Sequence, residues 1–172
     1  MKLLYVLTDN QFEDNGWDNE RLIVRGICYN DKKEVALIHL LCDDFFGHRD
    51  YYETPGGGVE ENEALEEALK RELKEELGAD IDNIEEIGRV VDFYNKINRK
   101  NNQHYYLCHL TKLSEKHLIR YEKIIMENVV WVDIDTAIKL YKESKDTPIS
   151  ILVKKKEIPI LKIAKEMLSK KD

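Results

Sequence analysis

Three consecutive glycines followed by a leucine-striped segment constrain this chain more than any other feature of its sequence. The segment 55–58 reads Pro-Gly-Gly-Gly. Because glycine has almost no steric limits, this segment can turn sharply and bring its backbone close to a ligand. Gly78 is suited to end the helix that the next apolar residues predict over 63–77; they recur every four positions as Leu65, Leu69, Leu73 and Leu77. A loop that exposes its backbone therefore leads into an amphipathic helix.

Short runs of apolar and β-branched residues on both sides of this helix predict strands. They cover residues 3–7, 22–29, 35–41, 51–54, 84–94, 104–110 and 129–133. Asp133 or Asp135 is suited to cap a further helix that runs to about Tyr141. Together these elements predict an α/β fold in which helices cover a mixed β-sheet, with residues 1–172 forming a single domain.

The C-terminal end of the chain predicts one more helix. Pro159 is suited to the first turn of a helix over about 159–170, because its fixed φ matches that position and its missing N–H has no intrahelical partner there. The lysine run 154–156 is then expected to be a solvated loop ahead of this helix.

The charge and cysteine content exclude several classes of function. A formal net charge of -7 argues against a sequence-independent grip on nucleic acid, which normally needs a basic face. The three cysteines lack C-x-x-C spacing, so neither a disulfide framework nor a zinc site is indicated, and a reducing cytoplasm is expected. Asp9 interrupts the N-terminal apolar run 3–7 too early for a signal peptide or a membrane span.

The charged residues of the predicted helix fall into two groups. Glu72, Glu75 and Glu76 lie within a sector of about 100° that adjoins the leucine stripe. As like-charge pairs at i,i+3 and i,i+4 they destabilise an isolated helix by about 0.2–0.5 kcal/mol each, and they lie near the negative end of its dipole. A magnesium ion, which prefers oxygen ligands, would turn this repulsion into coordination. The opposite side of the helix carries ordinary solvated charges.

Carboxylates beside a glycine-rich loop predict phosphoryl or nucleotidyl transfer chemistry. Backbone carbonyls of such a loop can bind metal, and amides near a helix N-terminus can bind phosphate. In this chemistry metals neutralise oxyanions and acidify a bound water, while one carboxylate takes up its proton.

The glycine loop and the helix together resemble the Nudix box, G-x5-E-x7-R-E-U-x-E-E-x-G-U, where U is a bulky aliphatic residue. The match runs from Gly57 through Glu63 to the stretch 71–79, which reads RELKEELGA. Every position agrees except the last, where Ala79 is smaller than the usual residue. A motif of this length is far more specific than a lone short pattern.

This resemblance implies a Nudix-like α/β/α sandwich and assigns roles within it. Glu72 and Glu76 are implied as metal ligands, with Glu75 as a third and the Gly57 carbonyl as a backbone ligand for one to three Mg²⁺ or Mn²⁺ ions. A salt bridge between Glu63 and Arg71 is implied to hold the loop against the helix. The general base is left open between Glu72, Glu75 and a carboxylate of a later loop, for which Glu127 ranks ahead of Glu122.

The resemblance also implies the class of substrate. A nucleoside diphosphate linked to a further group is expected, and a MutT-like nucleoside triphosphate pyrophosphohydrolase is favoured. ADP-ribose or nucleotide-sugar hydrolysis and dinucleoside polyphosphate hydrolysis remain alternatives. A non-catalytic nucleotide-sensing module is a further alternative, although all box glutamates are intact. RNA 5′-end processing is disfavoured by the acidic balance, and a homodimer remains open.

Several aromatic and charged residues near the predicted site allow two interpretations. Tyr94 could stack on a nucleobase, but packing within the sheet is favoured. The same preference applies to the stretch 104–106, which reads His-Tyr-Tyr. Ahead of the glycine loop, Arg49, Tyr52 and Glu53 are candidates for contacts to phosphate or base.

Overall fold

The computed structural model describes residues 1–118 and 120–171. Its elements in chain order are β1 (Leu3–Leu7), β2 (Asn19–Tyr29), β3 (Val35–Asp44), β4 (Gly47–Glu53), α1 (Leu65–Leu77), β5 (Ala79–Tyr94), a short 3-10 turn (Asn95–Ile97), β6 (Arg99–Leu113), α2 (Arg120–Ile125), β7 (Met126–Val132), α3 (Ile134–Glu143) and α4 (Pro148–Ser169). None of the helices in the described ranges is both long and apolar enough to cross a membrane.

The strands form one mixed sheet. Its order is β1-β5-β6-β2-β3-β4, and β7 pairs with β3 outside this path. The pairs β1/β5 and β2/β6 are parallel, whereas β3/β4, β3/β7 and β5/β6 are antiparallel. The predicted α/β class with a mixed sheet is confirmed.

Helices cover both faces of this sheet. On one face, α1 packs so closely on β2 that a Cβ at Gly26 would lie 2.9 Å from a Leu73 methyl carbon. One position earlier, Arg25 points to the opposite face, where α4 contributes Glu157 beside Tyr105. The α/β/α sandwich follows from this alternation, and its core is continuous from α1 through the sheet to α3 and α4.

The capping prediction before α3 is confirmed. Asp133 is the N-cap, and its carboxylate accepts hydrogen bonds from the backbone N–H groups of Asp135 and Thr136. The helix ends two residues beyond the predicted Tyr141, at Glu143.

The prediction for the C-terminal helix is wrong at its start. This helix begins at Pro148, because Thr147 caps it by accepting a hydrogen bond from the Ser150 N–H, and Pro159 lies inside it. The lysines of 154–156 are therefore part of α4 and not of a loop.

Candidate active site

The three glutamates of α1 differ in their exposure to solvent. Glu72 and Glu76 are buried, with only 7% and 8% of their surface exposed. Glu75 is half-buried. The apolar stripe beside them, including Leu69 and Leu73, lies fully in the core. The sector predicted at the edge of the buried face is therefore the part of α1 where carboxylates are largely removed from water.

The glycine segment lies directly against these carboxylates. The Gly56 N–H donates a hydrogen bond of 2.7 Å to Oε2 of Glu76. Gly56 has a φ of 136°, and a Cβ there would lie 2.1 Å from the Val24 carbonyl oxygen. A Cβ at Gly57 would lie 2.4 Å from Oε2 of Glu72. Only glycine fits at Gly56, and a side chain at Gly57 would displace the Glu72 carboxylate, so the backbone and the carboxylates share one surface.

The predicted salt bridge between Glu63 and Arg71 is present. The Arg71 guanidinium binds both oxygens of Glu63 at 2.8 and 2.9 Å and the Gly58 carbonyl at 3.0 Å. Its third nitrogen donates to Glu72 at 2.8 Å. Arg71 thus ties the end of the glycine segment to α1 and orients a carboxylate of the site.

The bridge makes stability depend on pH in the acid range. The hydrogen bond from Arg71 lowers the pKa of Glu63 from 4.5 to about 2. A carboxyl with a lowered folded pKa contributes stability above its unfolded pKa and loses it as the pH falls through the folded value. We expect Glu63→Gln to be less stable than the wild type at pH 7 by urea unfolding, and this difference to shrink between about pH 5 and about pH 2.

The matched control for this prediction is Glu61→Gln, which removes an exposed carboxylate of the same loop. It should follow the wild type at every pH. A stability difference for Glu63→Gln that stays constant down to pH 2 would contradict the role assigned to the bridge.

A third carboxylate approaches Glu72 and Glu76 from outside α1. Glu122, on α2, offers an oxygen that lies within 4.8 Å of one oxygen of each of them. The sequence ranks Glu127 ahead of Glu122 for this place. The structure instead leaves Glu127 exposed and outside the described residues that line the cavity, because the pairing of β7 with β3 already begins at Met126.

The three carboxylates impose an electrostatic cost on one another. Burial, together with the carboxylates of Glu72 and Glu122, raises the pKa of Glu76 to about 8, although the Arg25 guanidinium opposes this rise. Burial also raises the pKa of Glu72. At neutral pH Glu76 therefore retains a proton that a bound cation would displace, so cation binding becomes tighter as the pH rises.

The carboxylates open into a cavity of about 700 Å³, which is in the size range of small-molecule and cofactor pockets. Glu75 also lines it. Apolar residues line much of the remainder, and cationic side chains of the sheet and of α4 also line it, namely Arg21, Arg25, Arg49, Arg99 and Lys156. A cavity with clustered carboxylates at one place and guanidinium groups elsewhere suits an anionic ligand that is bound partly through a cation.

A family model for the NUDIX domain matches residues 19–151. The chain belongs to the NUDIX family. The match extends from the start of β2 into the first turn of α4 and includes the glycine segment and Glu72, Glu75, Glu76 and Glu122. The predicted family is confirmed.

Solved structures of Nudix proteins share the fold at low sequence identity. A MutT NUDIX hydrolase from Burkholderia pseudomallei is 21% identical, with a TM-score of 0.57 over 69% of this chain and 86% of that chain. A NUDIX hydrolase from Nitrosomonas europaea is 16% identical, with a TM-score of 0.60 over 77% of this chain and 84% of that chain. The MutT protein from Methanosarcina mazei Go1 is 17% identical, with a TM-score of 0.59 over 90% of this chain and 98% of that chain. No curated protein sequence matches significantly.

The donor set of this Nudix site fits a hard divalent cation. Carboxylate oxygens of Glu72, Glu76 and Glu122 converge, and such cations prefer oxygen ligands. The Gly57 carbonyl, expected as a backbone ligand, accepts a hydrogen bond of 3.0 Å from the Val24 N–H, which leaves one lone pair for a cation. Half-buried Glu75 lies beside this group and outside the closest cluster.

The aromatic candidates of the Nudix chain divide between core and cavity. Tyr105 and Tyr106 are buried in the core, as the packing interpretation expects. Tyr94 lines the cavity, where its ring stacks on Phe46 with centroids 5.5 Å apart. Tyr52 stacks on an imidazole of β3 outside the cavity.

The two charged candidates ahead of the glycine segment both line the cavity. Arg49 forms an ion pair of 2.9 Å with Asp44. Glu53 lies 3.3 Å from the guanidinium of Arg25. Both charges therefore have protein partners near the site.

One buried charge that the sequence analysis did not single out anchors the glycine segment. Glu157 of α4 is fully buried and accepts hydrogen bonds from the Thr54 N–H at 2.8 Å and from the hydroxyls of Tyr141 and Tyr105. Arg25 donates to the Thr54 carbonyl at 2.7 Å. Because Thr54 directly precedes the glycine segment, α4 fixes the place where this segment begins. Glu157 lies beyond the region that the family model matches.

Proposed function

We propose that this Nudix protein is a Mg²⁺-dependent pyrophosphohydrolase that cleaves a phosphoanhydride bond in a nucleoside diphosphate derivative, with a nucleoside triphosphate as the favoured substrate. Mn²⁺ is an alternative ion. The observation that carries this proposal is the convergence of Glu72, Glu76 and Glu122 within 4.8 Å beside the glycine segment. Charged carboxylates placed so closely repel one another, and a bound cation turns this repulsion into coordination.

The residues of the site have separable tasks in this proposal. When bound, Mg²⁺ supplies Lewis acidity and lowers the pKa of water. Glu72 and Glu76 hold the cation, and Arg71 keeps Glu72 in position through its hydrogen bond of 2.8 Å. The glycine segment lets phosphate oxygens approach the backbone. Either Glu122 of the cluster or Glu75 beside it takes the proton from the attacking water.

The choice between Glu122 and Glu127, the two later carboxylates that the sequence offers as bases, gives a direct prediction. Glu122→Gln is expected to lower kcat at least ~100-fold, because it removes a carboxylate of the cluster that either holds the cation or takes up the proton. Glu127→Gln is expected to leave kcat within a factor of about two, because surface substitutions away from a site have small effects. Steady-state hydrolysis rates of both variants measure this. A large loss of kcat in Glu127→Gln with little loss in Glu122→Gln would instead identify Glu127 of β7 as the base.

A substrate screen tests the proposed activity. Purified protein with Mg²⁺ is incubated with nucleoside triphosphates, nucleotide sugars, ADP-ribose and dinucleoside polyphosphates, and released phosphate or nucleoside monophosphate is measured. We expect turnover with Mg²⁺ and none with a chelator, with triphosphates turned over fastest. Nucleotide binding without turnover would favour a sensing module instead.

We also propose a cellular location and a type of partner for the enzyme. The free thiols of Cys28, Cys42 and Cys108 support a reducing cytoplasm. Its partner is a small nucleotide and not a nucleic acid, in keeping with the net charge of -7. A homodimer remains a hypothesis that sedimentation analysis would decide.

A further inference from the structure

Two arginines of the sheet line the same cavity as the carboxylates. Arg21 belongs to β2 and Arg99 to β6, and both line the cavity. In the parallel register of these strands, Arg99 lies opposite Asn19 and Arg21 lies opposite Asn101. The two arginines are therefore two positions apart on neighbouring strands, and their side chains share one face of the sheet.

The charges of this pair are not compensated by the protein. Among the side chains and backbone groups that the structure describes, none forms an ion pair or a hydrogen bond with either guanidinium. The Nε of Arg99 is buried without a partner. The nearest acidic influence on Arg99 is Asp92, whose two oxygens already accept hydrogen bonds from the amides of Asn101 and Gln103.

The other arginines of the cavity differ in this respect. Arg25 lies 3.3 Å from the Glu53 carboxylate, and Arg71 binds Glu63. Burial and the charge of Arg21 lower the pKa of Arg99, so the two guanidinium groups repel each other. Arg99 is half-buried and Arg21 is exposed. Two adjacent cations of this kind favour an anion that can join them.

The pair lies next to the carboxylate cluster along the glycine segment. A Cβ at Gly57 would meet the Glu72 carboxylate at 2.4 Å, and a Cβ at the next residue, Gly58, would meet Nη2 of Arg21 at 2.6 Å. Consecutive Cα atoms are about 3.8 Å apart. A chain of phosphate groups that begins at the carboxylates can therefore continue past Gly58 to Arg21 and then to Arg99.

We propose that Arg21 and Arg99 form an anion subsite that binds a phosphate group of the substrate other than the two joined by the cleaved bond. This inference rests on the proposed function and adds a selectivity to it. Nucleotides that carry a further phosphate, either in the phosphate chain or as an ester on the distal group, are preferred to nucleoside diphosphates capped by a neutral sugar. Guanidinium groups suit this role because they bind phosphate oxygens in a bidentate manner.

Binding of inorganic tripolyphosphate in the presence of a chelator tests the subsite without catalysis. Isothermal titration calorimetry should detect saturable binding to the wild type, with Kd at least ~10-fold weaker for Arg21→Gln and for Arg99→Gln. Arg89→Gln, which removes an arginine of β5 that is not among the described residues of the cavity lining, should bind like the wild type. Absent binding to the wild type, or equal affinity in all variants, would overturn the proposal.

Thermal unfolding without phosphate separates a binding role from a structural one. Removing one of two repelling charges should leave the Tm of Arg99→Gln equal to or above that of the wild type. A structural role would lower it and would overturn the proposal. If the protein binds tripolyphosphate through these arginines but hydrolyses no nucleotide, the proposed function fails while the subsite stands. If the protein hydrolyses nucleotides but the variants bind tripolyphosphate as tightly as the wild type, the subsite fails while the proposed function stands.

Kinetics identify the source of the phosphate. KM is compared for a nucleoside triphosphate, a nucleotide sugar and the same nucleotide sugar phosphorylated on its sugar. Arg21→Gln and Arg99→Gln should raise KM about tenfold or more for at least one of the two substrates with a further phosphate, and leave KM for the unphosphorylated sugar unchanged. An equal rise for all three substrates would overturn the selectivity.

Discussion

Replacing Glu76 by glutamine is expected to lower turnover at least ~100-fold while the protein remains folded. Glu76 is buried, shares the cluster with Glu72 and Glu122, and holds its position through the Gly56 N–H. A glutamine oxygen can still accept this hydrogen bond, but the amide is a poorer cation ligand than the carboxylate. Hydrolysis rates at saturating Mg²⁺ measure the loss.

The pKa of Glu76 predicts the direction in which Glu76→Gln changes the stability of the protein. The folded state raises the pKa of Glu76 above its ordinary value of 4.5 to about 8. A carboxyl shifted in this direction costs stability once the pH exceeds its unfolded pKa, and the cost grows until the pH passes the folded value. With a chelator present at pH 8, Glu76→Gln should therefore be at least as stable as the wild type.

The matched control is Glu66→Gln, which removes an exposed carboxylate from the first turn of the same helix. It should retain wild-type turnover. Unchanged turnover in Glu76→Gln, or a variant that unfolds, would contradict the assigned role of this carboxylate.

Replacing Glu157 by alanine is expected to lower the free energy of unfolding by about 3 kcal/mol. The change leaves the Thr54 N–H and the hydroxyl of Tyr141 without their buried acceptor, and it removes a negative charge near Arg25. Each buried donor without a partner is costly. Urea unfolding monitored by circular dichroism measures the loss.

The effect should extend to the active site, because Thr54 precedes the glycine segment. We expect kcat of Glu157→Ala to fall at temperatures where the variant is still fully folded. Glu166→Ala removes an exposed carboxylate from the same helix and should change neither stability nor kcat. A fully active Glu157→Ala with wild-type stability would show that α4 does not anchor the loop.

The sequence is sufficient to predict α1 and its chemistry because each signal there is local. The leucine stripe, the glycine stop and the acidic sector all lie within one helix, so spacing alone places the carboxylates of Glu72 and Glu76 side by side. The salt bridge between Glu63 and Arg71 joins residues eight positions apart. Local geometry and the resemblance to the Nudix box therefore agree on this part of the site.

Glu122 is harder to place because its position depends on distant parts of the chain. The helix that carries it, Arg120–Ile125, has six residues and is too short for a periodic pattern to be recognised. Whether Glu122 or Glu127 reaches the cavity is decided by where β7 pairs with β3, a contact between residues far apart in sequence.

The sequence pattern around Glu157 indicates a buried charge only when Pro159 is placed inside the helix and not at its start. Once α4 is known to begin at Pro148, Glu157 lies in the middle of an apolar stripe formed by Val153, Ile160, Leu161, Ala164 and Leu168. A charged residue at such a position indicates a buried partner. Treating the proline as a helix start divides this stripe and hides the charge.

Binding of Mn²⁺ measured by electron paramagnetic resonance at pH 8 tests most directly whether the carboxylates form a cation site. We predict saturable binding to the wild type, affinity at least ~10-fold weaker in Glu76→Gln and in Glu122→Gln, and wild-type affinity in Glu127→Gln. Equal binding by all four proteins, or no binding to the wild type, would contradict the convergence of these carboxylates on a cation.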